Sequence, residues 1–384
     1  MTVGLTIEHI TYSINDCKQK LTDMRIGFFS PTINRVGGGE WVTLNMIYAL
    51  KSKKHNIIVY SAEKINHDYV RNFFGHDLKF DMEVRIPPNI FDPYGLENIY
   101  PNLLKSYMLR LKCDFLIDTF SNAIFPWASA AYFQGRPKVM QLPRGVKGAA
   151  FVPYKAFLIS SIKRFEGKEK VLMACSRHVA KTVEAVMGLT VNVLYPPISD
   201  FFKMSDKTHS KDNTVVSVTR ISNDKQPETI PKIAKLTRGD IKFIIIGSCR
   251  TPTELHALKS LKRLIHELKL EEKVKLLINV SREKQREILQ KSKVYLHPFV
   301  SYEAFGISVV EAMSAGCVPI VPDVGGLKEI APEHLRYKSV EEAAALIERS
   351  ISKWTFTNAQ ENVKTANNFS QERFCQEFLR ITKL

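Results

Sequence analysis

Two glutamates, Glu303 and Glu311, flank a position where the sequence predicts the start of a helix. Apolar residues recur at helical spacing after Phe305, so Glu303 falls in the preceding loop and Glu311 about two turns into the helix. Free N–H groups at the helix start, around Gly306 and Ile307, would favour an anion such as phosphate. The layout suits a ligand with hydroxyl groups on both sides of a phosphate, as in a nucleotide sugar. The alternative is that Glu303 is only a helix cap.

Two cations follow a strand predicted at residues 215–218. Arg220 can donate two parallel hydrogen bonds from its guanidinium group to a phosphate, and Lys225 can contribute a localised positive charge. Together they predict a binding site for a diphosphate at the end of this strand. The alternative is an ordinary pair of solvated loop cations.

A glycine run at residues 37–39 lies between a predicted strand at 26–29 and a predicted helix at 41–50. Gly38 and Gly39 would let a ligand approach the backbone closely. The run does not match the G-x-G-x-x-G fingerprint of dinucleotide-binding proteins, and three glycines also suit a plain turn.

Two segments carry a resemblance to a known family. Residues 297–326 resemble the Glu-x7-Glu segment of retaining GT-B glycosyltransferases, particularly glycosyltransferase family 4. Residues 27–40 are similar to the opening of the α-1,2-mannosyltransferases that extend dolichol-linked oligosaccharides. The resemblance covers residues 24–384 and is strongest in 215–330. It implies an α/β fold of the GT-B type, with two Rossmann-like doubly wound domains facing across a cleft.

The resemblance also implies roles for individual residues. Glu303 would contact the hydroxyls of the donor sugar and Glu311 the ribose, while Arg220 and Lys225 would hold the leaving diphosphate. Many relatives have a histidine against the donor sugar in the strand that is predicted here at 139–143, and the matching position is Gln141. This departure leaves the catalytic contribution of the first domain open, and it permits a catalytically lapsed family member.

The other predicted donor contacts are a loop residue over the base and backbone groups near the phosphates. They are Val280, Phe305, Gly306, Ile307, Gly38 and Gly39. We expect catalysis to rest on Arg220, Lys225 and Glu303, with no metal and no resident cofactor. The donor would be a substrate, a GDP- or UDP-linked sugar. Two further candidates stay open: His297 as a sugar neighbour or a structural residue, and Asp118 as a polar ligand group or a loop cap.

Predicted strands alternate with predicted helices along both halves of the chain, which indicates parallel, doubly wound sheets. Strands are predicted at 26–29, 57–60, 115–118, 139–143, 171–176, 215–218, 243–248, 274–277, 294–296 and 318–321, and helices include 227–236, 253–269 and 282–291.

The length of 384 residues suggests two domains. Residues 1–23 are an extension of unassigned role, 24–200 the acceptor-side domain and 201–365 the nucleotide-sugar domain. The linker is placed at 198–212. The resemblance implies that residues 366–384 form a helix that crosses back to the first domain.

Composition points to a globular protein, with 45% hydrophobic and 24% charged residues. Six scattered cysteines without a C-x-x-C pair favour a reduced, cytoplasmic setting, and neither a signal peptide nor a membrane-spanning run is predicted. The net charge of +16 suits solubility, an anionic membrane surface or nucleic acid. Residues 151–170 mix aromatic and basic side chains, as in an interfacial membrane contact or an ordinary amphipathic helix.

Together with these patterns, the family resemblance implies a retaining, metal-independent glycosyltransferase that moves a hexose, with mannose or glucose favoured, from a nucleotide sugar to a saccharide acceptor. A lipid-linked acceptor at the cytoplasmic face of a membrane is the first choice, and a soluble sugar or metabolite is the alternative. A basic nucleic-acid-binding protein is the alternative from another class, although no nucleic-acid motif is present. The sequence leaves open the base and sugar of the donor, the linkage formed and the oligomeric state.

Overall fold

The computed structural model describes residues 24–35, 37–86, 99–142, 146–165, 170–205 and 210–384. The predicted extension at 1–23 lies outside these residues. The chain divides into two compact units: Met1–Leu194 together with Phe374–Leu384, and Tyr195–Arg373. No described helix is both long enough and apolar enough to span a bilayer.

The first unit contains a seven-stranded parallel sheet in the order β3-β2-β1-β4-β5-β6-β7. Its strands are β1 (Arg25–Phe29), β2 (Asn56–Tyr60), β3 (Met82–Val84), β4 (Phe115–Asp118), β5 (Ala130–Phe133), β6 (Val171–Ala174) and β7 (Asn192–Val193). In this order, β1 lies between β2 and β4. The chain therefore changes direction across the sheet between β1 and β4, and at such a switch point the loops after the two strands diverge and leave a crevice.

Six described helices of the first unit cover this sheet. They are α1 (Gly38–Ser52), α2 (His67–Phe74), α3 (Ile99–Arg110), α4 (Lys138–Gln141), α5 (Val152–Phe165) and α6 (Arg177–Met187). The predicted cap of α6 is confirmed, because the Ser176 side chain accepts a hydrogen bond from the N–H of Val179. The predicted segment 151–170 contains α5, and its residues 166–169 lie outside the described part.

The strand predicted at 139–143 is wrong. Residues 138–141 form the short helix α4, which Pro137 begins with its fixed φ of −50°. The additional strand is β5, whose two alanines have low strand propensity and gave no signal. Gln141 is therefore an exposed helix residue that donates from Nε2 to the Arg136 carbonyl, and it is not on the strand that the comparison with a family histidine assumed.

The glycine run is the second correction in this unit. Helix α1 begins at Gly38 rather than at Trp41, with Gly37 as its cap residue. A Cβ on Gly39 would lie 2.3 Å from Oε1 of Gln134, so a side chain at this position would displace the Gln134 amide. The run is thus a first helical turn packed against a neighbouring loop.

The second unit contains a six-stranded parallel sheet in the order β10-β9-β8-β11-β12-β13. Its strands are β8 (Asp212–Arg220), β9 (Lys242–Ser248), β10 (Val274–Ile278), β11 (Ser292–Leu296), β12 (Val318–Pro322) and β13 (Arg336–Tyr337). Branched apolar residues of these strands, such as Val215, Ile245 and Ile320, form its core. The switch point of this sheet lies between β8 and β11.

The helices of this part of the chain are α7 (Thr229–Leu236), α8 (Pro252–Glu267), α9 (Arg282–Lys291), α10 (Ile307–Ser314), α11 (Val340–Ser352), α12 (Phe356–Ala366) and α13 (Gln371–Thr382). The prediction for α9 is confirmed at both ends. Helix α13 straddles the unit boundary, and its residues from Phe374 onward belong to the first unit. The predicted linker contains ordered structure, because Ile198 pairs with Ser370 and β8 already begins at Asp212.

Candidate active site

The switch point of the second sheet brings together two loops with charged side chains. Strand β8 ends at Arg220 and leads into a short 3₁₀ turn, Asn223–Lys225, while β11 ends at Leu296 and leads through His297 to Glu303. Since β8 and β11 are parallel neighbours, both loops leave from the same edge of the sheet. Residues 78 positions apart in sequence meet there.

Glu303 is the centre of this cluster. Its Oε2 lies 2.7 Å from Nζ of Lys225 and 3.4 Å from Nε2 of His297. Burial raises the pKa of the Glu303 carboxyl, but the hydrogen bond from His297 and the charge of Lys225 outweigh it and hold the pKa well below its usual range. Glu303 is therefore an ionised acceptor at neutral pH, next to a cation.

His297 is fixed from several sides. It is 5% exposed, its Nδ1 donates to the Pro298 carbonyl at 2.9 Å, and its own carbonyl accepts from the Tyr337 hydroxyl at 2.6 Å. These bonds direct Nε2 toward Glu303. The structure thus places His297 directly behind the carboxylate that is predicted to bind the sugar.

Arg220 stands at the same edge of the sheet and is half exposed. Its Nη2 donates to Oδ2 of Asp224 at 2.9 Å and its Nε to Ser222 at 3.2 Å. Burial raises the pKa of Asp224, but the Ser222 hydrogen bond and the charges of Arg220 and Lys225 lower it overall. Each predicted diphosphate-binding cation therefore has an acidic partner, and the sequence analysis did not identify Asp224.

The helix start beside Glu303 lies two residues later than predicted. Helix α10 begins at Ile307, and its cap residue Gly306 has a φ of +108° and no side-chain cap. A Cβ on Gly306 would lie 2.6 Å from Cδ2 of Leu327, so only glycine fits. Phe305, by contrast, is a buried anchor that packs on the rings of Tyr195 and Phe369.

Two glycines brace the loop that carries Glu303. Gly326 donates its N–H to the Glu303 carbonyl at 2.9 Å. A Cβ on Gly325 would lie 2.1 Å from that same carbonyl oxygen, and one on Gly326 would lie 2.2 Å from the carbonyl oxygen of Ala304. The 3₁₀ turn at Gly325–Glu329 thus packs backbone against backbone on the Glu303 loop, and side chains there would push the loops apart.

Glu311 lies in the second turn of α10, as predicted. Its side chain makes no hydrogen bond or ion pair with any residue that the structure describes, whereas its carbonyl accepts from the N–H of Ala315. Burial raises the pKa of its carboxyl to about 7, and the charge of Arg282 opposes the rise. Arg282, which the sequence analysis missed, is positioned over the Phe202 ring at 5.0 Å.

The negative charges of Glu303 and Glu311 both affect the Tyr295 hydroxyl. The Tyr295 hydroxyl is 2.8 Å from the Ser308 hydroxyl, and burial together with the negative charges of Glu303 and Glu311 raises the Tyr295 pKa. Both acids are therefore within electrostatic range of the same buried hydroxyl at the start of α10.

Val280 lies partly buried in the loop between β10 and α9. The preceding residue, Asn279, has a φ of +52°, and its side chain bonds both the N–H and the carbonyl of Cys249. These bonds hold the loop after β10 against the loop after β9, so the position of Val280 is set at the same edge of the sheet.

The switch point of the first unit has a different lining. A cavity of about 200 Å³ lies at the ends of β1 and β4 and is lined by polar residues that include Thr32, Glu40, Thr43, Thr119 and Gln134. The buried Glu40 accepts from the Thr32 hydroxyl at 2.6 Å and from the Gly37 N–H at 2.9 Å. Gly39 is in the wall of this cavity, and Gly38 precedes it in the first turn of α1.

Asp118 ends β4 at the same edge. Its carboxylate accepts from the backbone N–H groups of Phe120 and Ser121, both at 2.9 Å, and burial raises its pKa. These hydrogen bonds agree with the alternative that Asp118 caps the loop after β4.

Comparison with known proteins gives a matching family for the second unit. Residues 200–370 match the model of the family described as glycosyl transferases group 1. A Dictyostelium discoideum GDP-Man:Man(3)GlcNAc(2)-PP-Dol alpha-1,2-mannosyltransferase is 20% identical over 95% of this chain and 86% of its own length. The human protein of the same description is 30% identical, over 37% of this chain and 31% of its own length.

Solved structures agree on the fold. The Anabaena HepE protein in complex with UDP and glucose superposes with a TM-score of 0.69 at 16% identity, covering 93% of this chain and 98% of that protein. Sucrose-phosphate synthase from Thermosynechococcus elongatus superposes with a TM-score of 0.71 at 13% identity, covering 94% of this chain and 98% of that protein. The predicted fold class, α/β with two Rossmann-like units of the GT-B type, is confirmed.

Proposed function

We propose that this glycosyltransferase of the GT-B fold is a retaining, metal-independent hexosyltransferase of glycosyltransferase family 4. It transfers mannose or glucose from a GDP- or UDP-linked donor to a lipid-linked saccharide. One observation carries the proposal: an ionised Glu303 lies 2.7 Å from Lys225 at the switch point of the second sheet. An acceptor for sugar hydroxyls thus stands beside a cation for phosphate, as a nucleotide sugar requires.

Positive charge would assist departure of the nucleoside diphosphate. As the bond between the anomeric carbon and the phosphate oxygen breaks, its electron pair moves to the diphosphate. Arg220, Lys225 and the uncapped start of α10 at Gly306 would stabilise the charge that develops there. These groups take the role that a divalent cation has in other transferases.

The acids would select the donor. Glu303 accepts hydrogen bonds from sugar hydroxyls, with His297 and Lys225 holding its carboxylate in place. Glu311 accepts from the ribose, and Val280 covers the base. A donor that lacks a matching hydroxyl would leave a buried carboxylate oxygen without a partner, which costs affinity. Retention follows if the acceptor hydroxyl attacks the anomeric carbon from the face that the diphosphate leaves and gives its proton to the departing phosphate oxygen.

The lipid-linked acceptor is supported by the names of the relatives, which act on PP-Dol-linked saccharides. The neutral hydroxyls and amides around Glu40 in the first unit fit the hydroxyl groups of an acceptor saccharide. Such an acceptor places the enzyme at the cytoplasmic face of a membrane. The match to the human relative covers less than a third of that protein, so the acceptor is a proposal about this chain alone.

Thermal-shift titration tests the donor. GDP-mannose and UDP-glucose are compared with GDP and UDP, because a ligand that binds only the folded state raises the melting temperature. We expect one base to be clearly preferred, and the sugar-bearing form to stabilise more than the bare diphosphate. Equal, negligible shifts for all four ligands would contradict a nucleotide-sugar site.

A transfer assay tests the reaction. The chosen donor is incubated with a dolichol-diphosphate oligosaccharide or with a soluble methyl glycoside, with and without EDTA. We expect transfer to the lipid-linked acceptor, an α-anomeric product by NMR and full activity in EDTA. A β-anomeric product contradicts retention, loss in EDTA contradicts metal independence, and exclusive use of the glycoside supports the soluble-acceptor alternative.

A further inference from the structure

Helix α3 (Ile99–Arg110) in the first unit departs from the usual distribution of polar and apolar side chains. It buries Lys105, which is 4% exposed, and Ser106, which is fully buried. It exposes Leu104 to 60%, and Leu111, directly after the helix, to 68%. Soluble helices normally bury the apolar side chains and expose the polar ones. Ile99 and Leu109 of this helix are buried in the core, but most of its other large apolar side chains lie at the surface, where the described residues leave them open to solvent.

The exposed side chains form one stripe. Spacings of four, three, one and three residues place them on a single face of the helix, about 100° wide. We call this the α3 stripe: Tyr100, Leu104, Tyr107, Met108 and Leu111. Every exposed residue of α3 belongs to it. Scattered apolar residues are normal on a protein surface, but a continuous helical face of them indicates an interaction surface.

The buried polar residues of α3 are accommodated and do not indicate misfolding. The Ser106 hydroxyl donates to the Leu103 carbonyl at 2.8 Å and accepts from Trp127 Nε1 at 3.1 Å. Burial lowers the pKa of Lys105. The opposite side of the helix is thus fixed to the unit, and rotation to bury the stripe would break these contacts.

Helix α5 (Val152–Phe165) extends the surface. The Tyr100 ring packs edge-on against Tyr154 at 5.7 Å, and the Tyr100 hydroxyl donates to the Ala150 carbonyl. Both helices contribute to the same core cluster, so they cover the same side of the sheet. Val152 and Ile159 are exposed on α5, so this helix also presents apolar side chains to solvent.

The two segments that carry this surface have charge of one sign, although Asp114, paired with Arg25, lies next to Leu111 and Lys105 is buried. Residues 99–112 and 146–165 contain seven lysines and arginines and no aspartate or glutamate, whereas the whole chain has 39 acidic residues. Among the described side chains, Lys112 and Lys155 are exposed. Tyrosines with leucine, methionine and lysine are the composition of an interfacial surface, where rings lie at headgroup level and lysines meet anionic lipid.

We propose that the α3 stripe, extended by Val152 and Ile159 of α5, is the surface by which the protein docks on an anionic membrane. It inserts its apolar side chains among the headgroups. The sequence analysis assigned membrane contact only to residues 151–170; the structure moves the main apolar contribution to α3. The inference rests on the proposed lipid-linked acceptor for its biological purpose, but the surface stands on its own exposure and charge.

Vesicle co-sedimentation tests the proposal with the full chain. The unmodified protein and the double variant Leu104→Ser/Leu111→Ser are mixed with phosphatidylcholine vesicles with or without 30% phosphatidylserine. The matched control is Leu236→Ser/Leu255→Ser, which removes two exposed leucines from helices of the second unit. We expect binding of the unmodified protein to anionic vesicles, at least roughly tenfold weaker binding of the stripe variant, and an unchanged control.

Two further measurements separate the other outcomes. Light scattering reports the oligomeric state: a dimer that the stripe variant converts to a monomer shows that a second copy covers the stripe, and overturns the proposal. Equal vesicle binding by the stripe variant and the unmodified protein also overturns it. Thermal shift with the nucleotide sugar is run on every variant. Vesicle binding without any donor binding would contradict the proposed function while supporting the docking surface.

Discussion

The two units use the same scaffold, a parallel sheet with one switch point, but they place different chemistry at it. In the second unit the loops after β8 and β11 bring Lys225, Glu303 and His297 into contact, with Arg220 on the same edge. In the first unit the cavity at the ends of β1 and β4 is lined by hydroxyls, amides and the Glu40 carboxylate, with Asp118 bonded to the loop after β4.

The difference shows that the fold sets where ligands bind and the loops set which ligands bind. A cation that is held by a carboxylate still has N–H donors for a diphosphate, and a diphosphate site requires such cations. A cavity lined by neutral donors and acceptors suits uncharged hydroxyl groups. We therefore expect donor binding to depend on loop residues of the second unit and to be almost independent of those of the first.

The largest effect is expected from Lys225→Ala. Loss of the cation removes stabilisation of the leaving diphosphate, and kcat should fall by roughly 10²- to 10³-fold, a typical loss for one electrostatic group in an active site. Steady-state kinetics measure it, and circular dichroism checks the fold. The control is Lys232→Ala, an exposed lysine on α7. Near-native turnover of Lys225→Ala would show that this charge at the switch point of the second unit is not needed for transfer. It would contradict the functional difference drawn between the two units.

Gly325→Ala should have the next largest effect. Its φ of +52° disfavours any side chain, and the new Cβ would also lie 2.1 Å from the Glu303 carbonyl oxygen. Gly239→Ala is the matched control, since Gly239 has a φ of +82° and open space around it. We expect the control to lose about 1 kcal/mol of unfolding free energy, from backbone strain alone. Gly325→Ala should lose roughly 1–3 kcal/mol more, and bind the donor more weakly.

Denaturant unfolding and donor titration measure both glycine variants. If Gly325→Ala loses no more stability and no more donor affinity than Gly239→Ala, the packing of Gly325 on the Glu303 backbone does not contribute to donor binding.

Glu311→Gln should reveal a pH-dependent contribution of smaller size. The raised pKa of about 7 means that the folded state binds this proton more tightly than the unfolded chain, whose glutamate has a pKa near 4.5. Below pH 4.5 the carboxyl is protonated in both states, and its ionisation does not lower the free energy of unfolding. Between pH 4.5 and 7 stability falls as pH rises, by up to about 3 kcal/mol, and the full cost remains above pH 7.

The variant lacks this titration, so it should be more stable than the unmodified protein above pH 7 and equally stable near pH 4. It should also bind the donor about tenfold more weakly, because a carboxylate for the ribose is lost. Unfolding free energies measured from pH 4 to 8 test the first point. Parallel profiles for the two proteins would show that Glu311 is not the group that titrates.

The smallest effect on the donor is expected from Glu40→Gln in the first unit. The change removes one of the carboxylate oxygens that accept from Thr32 and Gly37, and should cost about 1 kcal/mol of stability. Donor affinity should stay within about twofold of the unmodified protein, because no charge at the second switch point changes. Isothermal titration calorimetry with the donor checks this. A large loss of affinity would show that the first unit also contributes to donor binding.

The sequence predicted the second unit better than the first. Its strands are continuous branched apolar runs, and its helices have clear ends, as Arg282–Lys291 demonstrates. In the first unit, the alanines of β5 gave no strand signal, and the apolar run after Pro137 was misread as a strand. Helix α3 shows another limit, because periodicity locates an apolar face without saying whether that face is buried.

Within the candidate site, the sequence indicated the residue types but not their pairing. Lys225 and Glu303 are far apart in the chain, and only the parallel pairing of β8 with β11 brings them together. The same holds for Gly325, whose role follows from contact with the backbone of Glu303, and for Asp224 and Arg282. Spacing rules describe neighbours on one element, whereas these contacts depend on how separate elements pack.

The ion pair between Lys225 and Glu303 has a consequence for the cost of binding. A free lysine has four rotatable bonds, and ordering such a side chain upon association costs about 1 kcal/mol. Here folding has already restricted the Lys225 side chain, because Glu303 holds its ammonium group before any substrate arrives. The site is preorganised, and more of the interaction with the donor remains available as affinity.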